Sequence, residues 1–569
     1  MSEPLGSFCL VLHGHLPYVL KHGTWPHGED WLYEAAAETY LPLLAMMGEC
    51  ELYGIGLKMT MGLTPVLLEQ LDHVDFKRGF VTYLDDRIAK ARSDQKEFEG
   101  LDHGHLLYLA KRWEAWYSRQ LDYFESIGRD IPKAYAKFSE SGSLEILSSA
   151  ATHGYFPLLL EDASIRAQIR AGLGSSERIL GFKPKGVWLP ECAYRGMGAW
   201  SAPVNWGEQA NRIGVEHLLA DEGVTHFFVE NHLIEQSKSE YVKNGEDWHK
   251  VGWDEGQKYP ARGWGSVNEP HLVNSDGRGP GKVAAIGRDA FICEQVWSGE
   301  IGYPADGAYL EFHKQWGPRR GLRYWKITGK NTDLGDKHLY YPENVEGKIH
   351  EHAQHFCDAV KAKLKKHREV TGRHGVVTAC FDAELFGHWW FEGPDFIRDV
   401  MMQLSHDDDV ELDTMAGYLA KFPPDKTVTM PEGSWGEEGD HRVWSNEQVN
   451  WMWDISYRCE STFGRLRGEL DWENNLQIRE LLEKAGRELL LMQASDWAFV
   501  IRRGQAVDYG IRRFIQHVGR FDCLVDICEK VAGDDGYLGQ LTEVEEFEIK
   551  DAQIHDVIFD KIYLDWWRM

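Results

Sequence analysis

Short apolar runs recur along much of the chain, and each one ends in a polar residue followed by a turn. The intervals between them contain longer stretches with the apolar spacing of helices, for example residues 83–91 and 349–370. Strands that alternate with helices are typical of parallel βα units, in which functional residues gather at the carboxyl ends of the strands. The sequence therefore predicts an α/β fold with strands at residues 8–12, 56–61, 186–189, 225–229, 283–286 and 376–381.

The pattern changes after about residue 395, where helical spacing replaces the alternation. Residues 449–466, 478–492 and 512–532 each read as helices, because their apolar side chains recur every three or four positions. Residues 196–219 follow one predicted strand end and read as a small helical insertion. We therefore expect a catalytic α/β domain, a helical insertion and a mostly helical C-terminal domain, at residues 1–195 with 232–395, 196–231 and 396–569 respectively.

The chain contains 23 tryptophans in 569 residues, which is a high share. Many can belong to an aromatic core, but a flat indole face is also a surface on which a sugar ring stacks. Trp248, Trp253 and Trp264 fall within residues 234–280, a polar, glycine-rich stretch without periodicity. A loop of that length is usually a functional lid or a disordered segment. We expect these aromatic residues either to anchor a long insertion or to belong to a lid over a ligand.

The formal net charge is −28 at pH 7, from 62 basic and 90 acidic residues. A surface this acidic argues against nucleic acid or an anionic membrane as a partner. No uninterrupted apolar run reaches the about 18 residues of a membrane span, and no signal-peptide pattern is visible. Nine cysteines without a CxxC pair indicate free thiols in a reducing compartment. We expect a cytoplasmic protein that is a monomer or a small homo-oligomer.

Histidines mark two of the predicted turns. His13 and His15 flank a glycine at a strand end, and residues two apart in a strand point to the same face. The pair could bind a metal, as zinc hydrolases use such a spacing, or could donate hydrogen bonds to a substrate hydroxyl. Two ordinary surface histidines are the third possibility. His153, followed by Gly154, forms a second site of the same kind.

Two carboxylates follow predicted strands. Glu191 comes directly after Pro190, and Asp382 follows the last of the apolar runs and precedes two tryptophans by a few residues. Either could be a capping or salt-bridged group. Together they suit glycoside hydrolysis, in which one carboxylate attacks the anomeric carbon and the other protonates the leaving oxygen. A separation of about 5–5.5 Å predicts retention of configuration and a wider one predicts inversion.

Five short motifs occur in order along the chain: HGHLP at 13–17, ATHGYFP at 151–157, WLPE at 188–191, FDAELFGHWW at 381–390 and SDW at 495–497. This ordered set resembles glycoside hydrolase family 57, and most closely the branching members of that family. The resemblance covers essentially the whole chain. It implies a (β/α)7 barrel with a small inserted helical element and a C-terminal mostly helical domain. It also implies a retaining mechanism that needs no cofactor and no metal.

The resemblance assigns roles to individual positions. It implies that Glu191 is the nucleophile and Asp382 the general acid/base. Ala305 stands where the family usually has glycine, which adds a methyl group near the sugar. Tyr241 lies at the distance after Glu191 where branching members carry a tyrosine on a mobile loop. The other substrate-binding residues that the resemblance implies are His13, His15, His153, Arg288, Trp435, Asp496 and Gln505.

The resemblance implies an α-1,4-glucan, such as amylose or glycogen, as the partner, and formation of α-1,6 branches in glycogen biosynthesis. An α-amylase or a 4-α-glucanotransferase is the nearest alternative, and the linkage of the product distinguishes them. A zinc-dependent carbohydrate deacetylase, with His13, His15 and an aspartate as ligands, is a different chemistry on a similar barrel. A catalytically silent glucan-binding protein would use the tryptophans alone.

Overall fold

The computed structural model describes residues 3–207, 209–251, 265–317, 320–534 and 536–569. The strands are β1 Gly6–Gly14, β2 Met59–Leu63, β3 Leu144–Leu147, β4 Gly186–Trp188, β5 Gly198–Trp200, β6 Ala210–Arg212, β7 His226–Val229, β8 Lys238–Asn244, β9 Asp247–Lys250, β10 His271–Val273, β11 Val283–Gly287, β12 Gly375–Asp382, β13 Val410–Leu412 and β14 Lys426–Thr429.

The helices that precede β12 are α1 Glu29–Ala35, α2 Leu41–Leu52, α3 Pro65–Asp72, α4 Val74–Gly100, α5 Gly104–Ser126, α6 Ile131–Glu140, α7 Asp162–Leu180, α8 Val215–Asp221, α9 Asn231–Glu235, α10 Ala290–Trp297 and α11 Glu346–Thr371. Those that follow it are α12 Gly393–Ser405, α13 Met415–Lys421, α14 Asn450–Glu469, α15 Leu476–Met492, α16 Ser495–Arg503, α17 Val507–Gly533 and α18 Glu543–His555. A π-helical segment, Ala36–Tyr40, joins α1 to α2.

Seven parallel strands form the barrel wall in the described part of the chain, in the spatial order β12, β1, β2, β3, β4, β7 and β11. A bridge between Ser148 and Val187 connects β3 to β4. The amide of Asp289, just after β11, donates to the carbonyl of Thr378 in β12 at 2.9 Å, which brings the two ends of the wall together. The predicted (β/α)7 barrel is therefore confirmed. Every strand of the barrel wall except β3 was among the predicted runs.

A long helical insertion lies between β2 and β3. Helices α4 and α5 span 27 and 23 residues and pack against each other over much of their length. The predicted helical insertion at 196–231 is wrong, because that stretch holds the small β5–β6 sheet, α8 and the barrel strand β7. Gly198 and Gly207 interrupt its helical spacing, whereas α4 and α5 carry mostly apolar buried side chains at helical spacing along their length.

The catalytic part extends beyond residue 395. Strand β13 pairs with β1, and β14 pairs with β10 and β8. These strands have three and four residues, which is too short for a clear periodic signal. The C-terminal helical domain is confirmed, and its helices begin at α14 rather than at 396. None of the described helices is long and apolar enough to cross a membrane.

Much of the predicted loop at 234–280 is a β-structure. Strands β8 and β9 form a hairpin, and β10 joins the sheet through β11 and β14. Gly245, with φ 64°, is the first residue of the two-residue hairpin turn, a position that glycine suits. Trp248 lies in β9, whereas Trp253 and Trp264 lie outside the described residues. The nine cysteines are all free thiols, as expected.

Candidate active site

Three histidines stack at the carboxyl ends of β1 and β3. The rings of His15 and His153 lie nearly parallel, with centroids 3.9 Å apart. The Nε2 atoms of His13 and His153 are 3.1 Å apart, and the ring of His13 also stacks on Trp188. Burial holds the pKa of both His13 and His153 well below the usual value, and the neighbouring His15 lowers it further. These two imidazoles are therefore neutral at physiological pH.

His15 is held on three sides. Its backbone N–H donates to Glu384 Oε1 at 3.0 Å, Nδ1 lies 3.0 Å from the hydroxyl of Thr64, and Nε2 lies 2.9 Å from Asp496 Oδ1. Burial by itself would lower the pKa of His15, but the carboxylate of Asp496 outweighs it, with Glu191 and Glu384 adding to the effect, and raises the pKa. Both ring nitrogens of His15 are therefore engaged, and a charge-assisted hydrogen bond to Asp496 fixes the orientation of the ring.

Glu191 follows β4 in a left-handed backbone conformation, with φ 60° and ψ 25°. Non-glycine residues rarely adopt this region, and they do so mostly at functional sites. Its carboxylate accepts hydrogen bonds from the indole Nε1 of Trp435 at 2.8 Å and from the hydroxyl of Ser495 at 3.1 Å. Burial raises the pKa of Glu191 to about 7, while these two donors oppose the shift. The turn thus holds a largely buried carboxylate in place, and two hydrogen-bond donors stabilise its ionised form.

A hydrogen-bond chain leads from the histidines to this carboxylate. Because the hydroxyl of Ser495 donates to Glu191, the neutral His153 donates from Nδ1 to Ser495 Oγ, 2.9 Å away. His153 Nε2 is then an acceptor for the Nε2–H of His13. The tautomers follow from the network rather than from observed hydrogens. Ser495 therefore couples the orientation of two histidines to that of Glu191.

Asp382 is the last residue of β12 and lies beside His13 in the β1–β12 register. Burial raises its pKa well above the usual value, and the charges of Glu384 and Glu191 raise it further. Glu384 itself accepts hydrogen bonds from the Tyr40 hydroxyl and from the backbone of His15. Asp382 is therefore protonated when Glu191 is ionised, which is the division of roles between an acid and a nucleophile.

Several of these residues were not predicted as site residues. Tyr40 belongs to the π-helical segment Ala36–Tyr40, a feature often found at functional sites. Thr64 follows β2, and Ser495 opens α16 beside the predicted Asp496. The sequence signal for Ser495 was its place in the SDW motif, and for Glu384 its place two residues after Asp382. Thr64 stands in the turn after the predicted strand at 56–61, whereas nothing in the local sequence marks Tyr40.

The structure brings Arg288 and Trp435 to the site, with His13, His15, His153 and Asp496. Arg288, at the end of β11, forms an ion pair with Glu230, with Nε 2.6 Å from Oε2. Its positive charge is among those that lower the pKa of Asp382, against the larger effect of burial. The carbonyl of Glu191 also accepts a bond from the Trp435 amide at 3.1 Å.

Three predicted residues make no hydrogen bond or ion pair with Glu191 or Asp382 among the described residues. Tyr241 lies in β8, pairs with Thr427 and donates from its hydroxyl to the carbonyl of Gly277 at 3.1 Å, so the prediction that it sits on a loop over the site is wrong. Ala305 ends a short 3-10 turn. Gln505 is exposed between α16 and α17, about 13 Å of helix beyond the end that reaches the site.

One nitrogen or oxygen atom each of His15, His153 and Asp496 lie within 4.8 Å of one another, a spacing that a metal ion could bridge. In the structure, the same side chains bind one another and Ser495 through hydrogen bonds. The burial and the mixed nitrogen and oxygen donors would suit a zinc ion.

Two family models match the chain. One, described as glycosyl hydrolase family 57, matches residues 9–259, and another, described as the C-terminal domain of 1,4-alpha-glucan branching enzyme, matches residues 457–567. A 1,4-alpha-glucan branching enzyme of Thermococcus kodakarensis is 36% identical over 550 residues, covering 96% of this chain and 75% of that protein.

Two solved structures resemble the fold over nearly its full length. The branching enzyme of the hyperthermophilic archaeon Pyrococcus horikoshii superimposes with a TM-score of 0.86 at 34% identity, covering 99% of this chain and 97% of that one. The alpha-amylase AmyC of Thermotoga maritima superimposes with a TM-score of 0.80 at 26% identity, covering 99% of both chains. Likeness of fold therefore does not by itself distinguish a branching enzyme from an alpha-amylase.

Proposed function

The chain belongs to glycoside hydrolase family 57, and we propose that it is a 1,4-α-glucan branching enzyme. One observation carries the choice: the segment that matches the branching-enzyme C-terminal model places its own side chains in the catalytic centre. Ser495 donates to Glu191, and Asp496 holds His15. The domain characteristic of branching enzymes is therefore part of the site.

In the first step Asp382 donates its proton to the oxygen of an α-1,4 linkage while Glu191 attacks the anomeric carbon. The carbon–oxygen bond of the glucan breaks, the leaving chain departs with the proton, and a covalent ester joins the donor chain to Glu191. Trp435 and Ser495 stabilise the charge of Glu191 before the attack, and the buried position of Asp382 keeps the proton available.

In the second step Asp382, now ionised, takes the proton of a glucan 6-hydroxyl, whose oxygen attacks the same carbon. The bond to Glu191 breaks, the carboxylate is restored and an α-1,6 branch is formed. Water in place of the hydroxyl yields a reducing end instead, so positioning the acceptor decides the product. A branched α-glucan fits a role in glycogen biosynthesis in the cytoplasm. We assign further sugar contacts to Ala305 and Gln505.

The test is the linkage of the product. Purified protein is incubated with amylose, the product is treated with a debranching enzyme, and the released chains and the new reducing ends are counted. Branching predicts many more new α-1,6 linkages than reducing ends, and Glu191→Gln removes both because an amide cannot attack the anomeric carbon. Reducing ends without new branches would instead establish an amylase, the activity for which the structurally similar Thermotoga enzyme is named.

A further inference from the structure

A cavity of about 1000 Å³ lies on a flank of the barrel, where no predicted site residue is located. Helices α2, α5 and α12 form its sides, and residues 340 and 342, just before α11, close one end. Small-molecule sites commonly occupy roughly 300–1000 Å³, so this cavity is large enough for several sugar units in a row. Helix α5 belongs to the insertion between β2 and β3, whose role the catalytic centre does not explain.

An aromatic platform forms the floor of the cavity. Trp113, Trp116 and Phe391 pack against one another, with ring centroids 5.2–5.6 Å apart. Trp116 remains half-buried, and Tyr108 and Tyr123 flank it along the same helix. Partly exposed rings on a rigid helix present the flat surface on which the C–H face of a pyranose stacks. Trp113 itself is buried in the core, so Trp116, Phe391 and the two tyrosines offer the partly exposed ring surface.

The charges around the cavity favour a neutral ligand. Four acidic and four basic side chains line it, so its formal charge is zero in a chain whose net charge is −28. Gln120 also lines it and is 9% exposed, and its Oε1 has no hydrogen-bond partner among the described residues. A buried amide oxygen without a partner is uncommon and suits a ligand hydroxyl. A lining with balanced charge and a free hydrogen-bond acceptor therefore suits a polyhydroxylated, uncharged ligand.

The cavity is connected to the catalytic centre by a short segment. Phe391 lines the cavity, and Glu384, seven residues earlier, holds the backbone of His15. Glu38 lines the cavity as well, and its Oε2 lies 2.9 Å from Nδ1 of His388. Residues 384–391 therefore join the lining of the cavity to the catalytic centre within one segment of the chain.

We propose that this cavity is a second glucan-binding site, which holds a remote part of the α-1,4-glucan while another part reacts at Glu191 and Asp382. The nature of the ligand rests on the proposed function, whereas the aromatic platform and the balanced charge do not. A second contact makes the approach of the reacting end an intramolecular event and raises its effective concentration. The site therefore favours long chains over short ones.

Trp116→Ala tests the site by removing the most open ring. We expect the KM for amylose to rise about tenfold with kcat within about twofold, because stacking contributes on that scale. The kcat/KM for a short aryl maltoside, which reaches only the carboxylates, should change by less than about twofold. Phe547→Ala is the matched control, since Phe547 is 63% exposed on α18, far along the chain from the cavity. Its KM for amylose should equal that of the wild type.

Because Trp116 packs on Trp113 and Phe391, its removal can disturb folding, so a second variant is needed. Lys111→Ala combined with Arg119→Ala removes two exposed donors that line the cavity and touches no core packing. We expect about a threefold higher KM for amylose. Circular dichroism and thermal unfolding establish that each variant is folded before its kinetics are compared.

An unchanged KM for amylose in both folded variants overturns the proposal. A change in sedimentation with no change in KM overturns it as well, because the cavity is then an interface with a second copy. If the wild type forms no α-1,6 linkages, the proposed function fails, but the cavity remains testable. Calorimetry with amylose on Glu191→Gln protein, with and without Trp116→Ala, then gives the contribution of the second site by difference, and equal affinities refute it.

Discussion

At the scale of single residues, the site depends on two residues whose backbone conformations are energetically unfavourable. Glu191 and His153 both adopt positive φ, at 60° and 59°. Such conformations cost on the order of 1–3 kcal/mol each and persist where the surrounding structure imposes them. Trp435 and Ser495 secure Glu191, and Ser495 also secures His153. The same few contacts therefore set both the geometry and the protonation of the carboxylate.

Asp382→Ala should separate the acid from the nucleophile. We expect activity on amylose to fall by about 10²–10⁴, since the leaving oxygen then departs without a proton. An α-maltoside with an acidic phenol as leaving group needs no such proton, so its first step should lose far less, and added azide should speed the turnover of the intermediate. Equal losses on the two substrates would show that Asp382 is not the acid.

Trp435→Phe should move the pH profile of the enzyme. The ring remains but its N–H to Glu191 is lost, and that bond opposes the rise in the pKa of Glu191 to about 7. The protonated carboxyl cannot attack, so the rate falls as pH falls through this pKa. Loss of the donor should shift the acidic limb of kcat/KM upward by about one to two pH units.

Trp297→Phe is the control for this shift. Trp297 lies edge-on to Trp435, with centroids 6.5 Å apart, and is 39% exposed. It donates no hydrogen bond to Glu191 that the structure records, so its profile should match that of the wild type. Superimposable acidic limbs for the two variants would mean that the indole N–H does not set the pKa of Glu191.

At the scale of elements, short secondary structures position the site and long ones support it. The π-helical segment between α1 and α2 carries both Glu38, which faces the aromatic cavity, and Tyr40, which binds Glu384. The extra residue of a π-turn rotates its side chains relative to an α-helix, so both can be presented from one helix. The long helix α5 instead forms one side of the cavity.

Tyr241→Phe tests the corrected position of this residue. Its hydroxyl binds the backbone carbonyl of Gly277, in the connection between β10 and β11. Removing one partly buried hydrogen bond should cost about 0.5–1.5 kcal/mol of stability. The ratio of new α-1,6 linkages to new reducing ends on amylose should stay within error of the wild type. A selective loss of branching would return Tyr241 to a role at the site.

At the scale of the whole molecule, the two ends of the chain meet in a buried charged network. Asp556, after α18, lies 3.1 Å from His22 and also binds Arg520. All three are largely buried. Burial raises the pKa of Asp556, but the hydrogen bond from His22 and the charges of His517 and Arg520 outweigh it, and the pKa is lowered. The C-terminal domain is thus locked to the barrel through ionised groups.

Asp556→Ala should destabilise the protein by about 3–5 kcal/mol, because it leaves Arg520 and His22 buried without this partner. Because the folded-state pKa of Asp556 is depressed, its contribution is present above the unfolded value of about 3.9 and is lost as pH falls toward the folded value. Unfolding in denaturant at pH 7 and at pH 3 should therefore show a larger difference between wild type and variant at pH 7.

Asp565→Ala is the matched control for that loss. Its carboxylate pairs with Arg568 at 2.9 Å on the surface, where both side chains are more than half exposed. Exposed pairs contribute about 0–1 kcal/mol, so the unfolding curve should barely move. Comparable losses of unfolding free energy in the two variants would show that the buried network contributes no more to stability than a surface ion pair.

Local sequence by itself determined the strand ends and the reactive groups that stand on them. Apolar runs followed by turns located six of the barrel strands, and the parallel arrangement placed their polar residues at one edge. Glu191 and Asp382 were predictable for that reason, because each depends only on the strand before it. The helical hairpin was readable as well, since α4 and α5 have long apolar stripes, although the insertion was predicted at 196–231 instead.

Only the tertiary structure decided which distant side chains complete the site. Asp496 binds His15 across 481 positions, and Tyr40 binds Glu384 across 344. No periodicity records such pairs, because each arises from how separately folded elements pack against one another. Strand β3 and the aromatic cavity depend on the same packing: a four-residue run becomes a strand when its neighbours supply the hydrogen bonds. The sequence thus specifies the chemistry at each strand end, and packing specifies its partners.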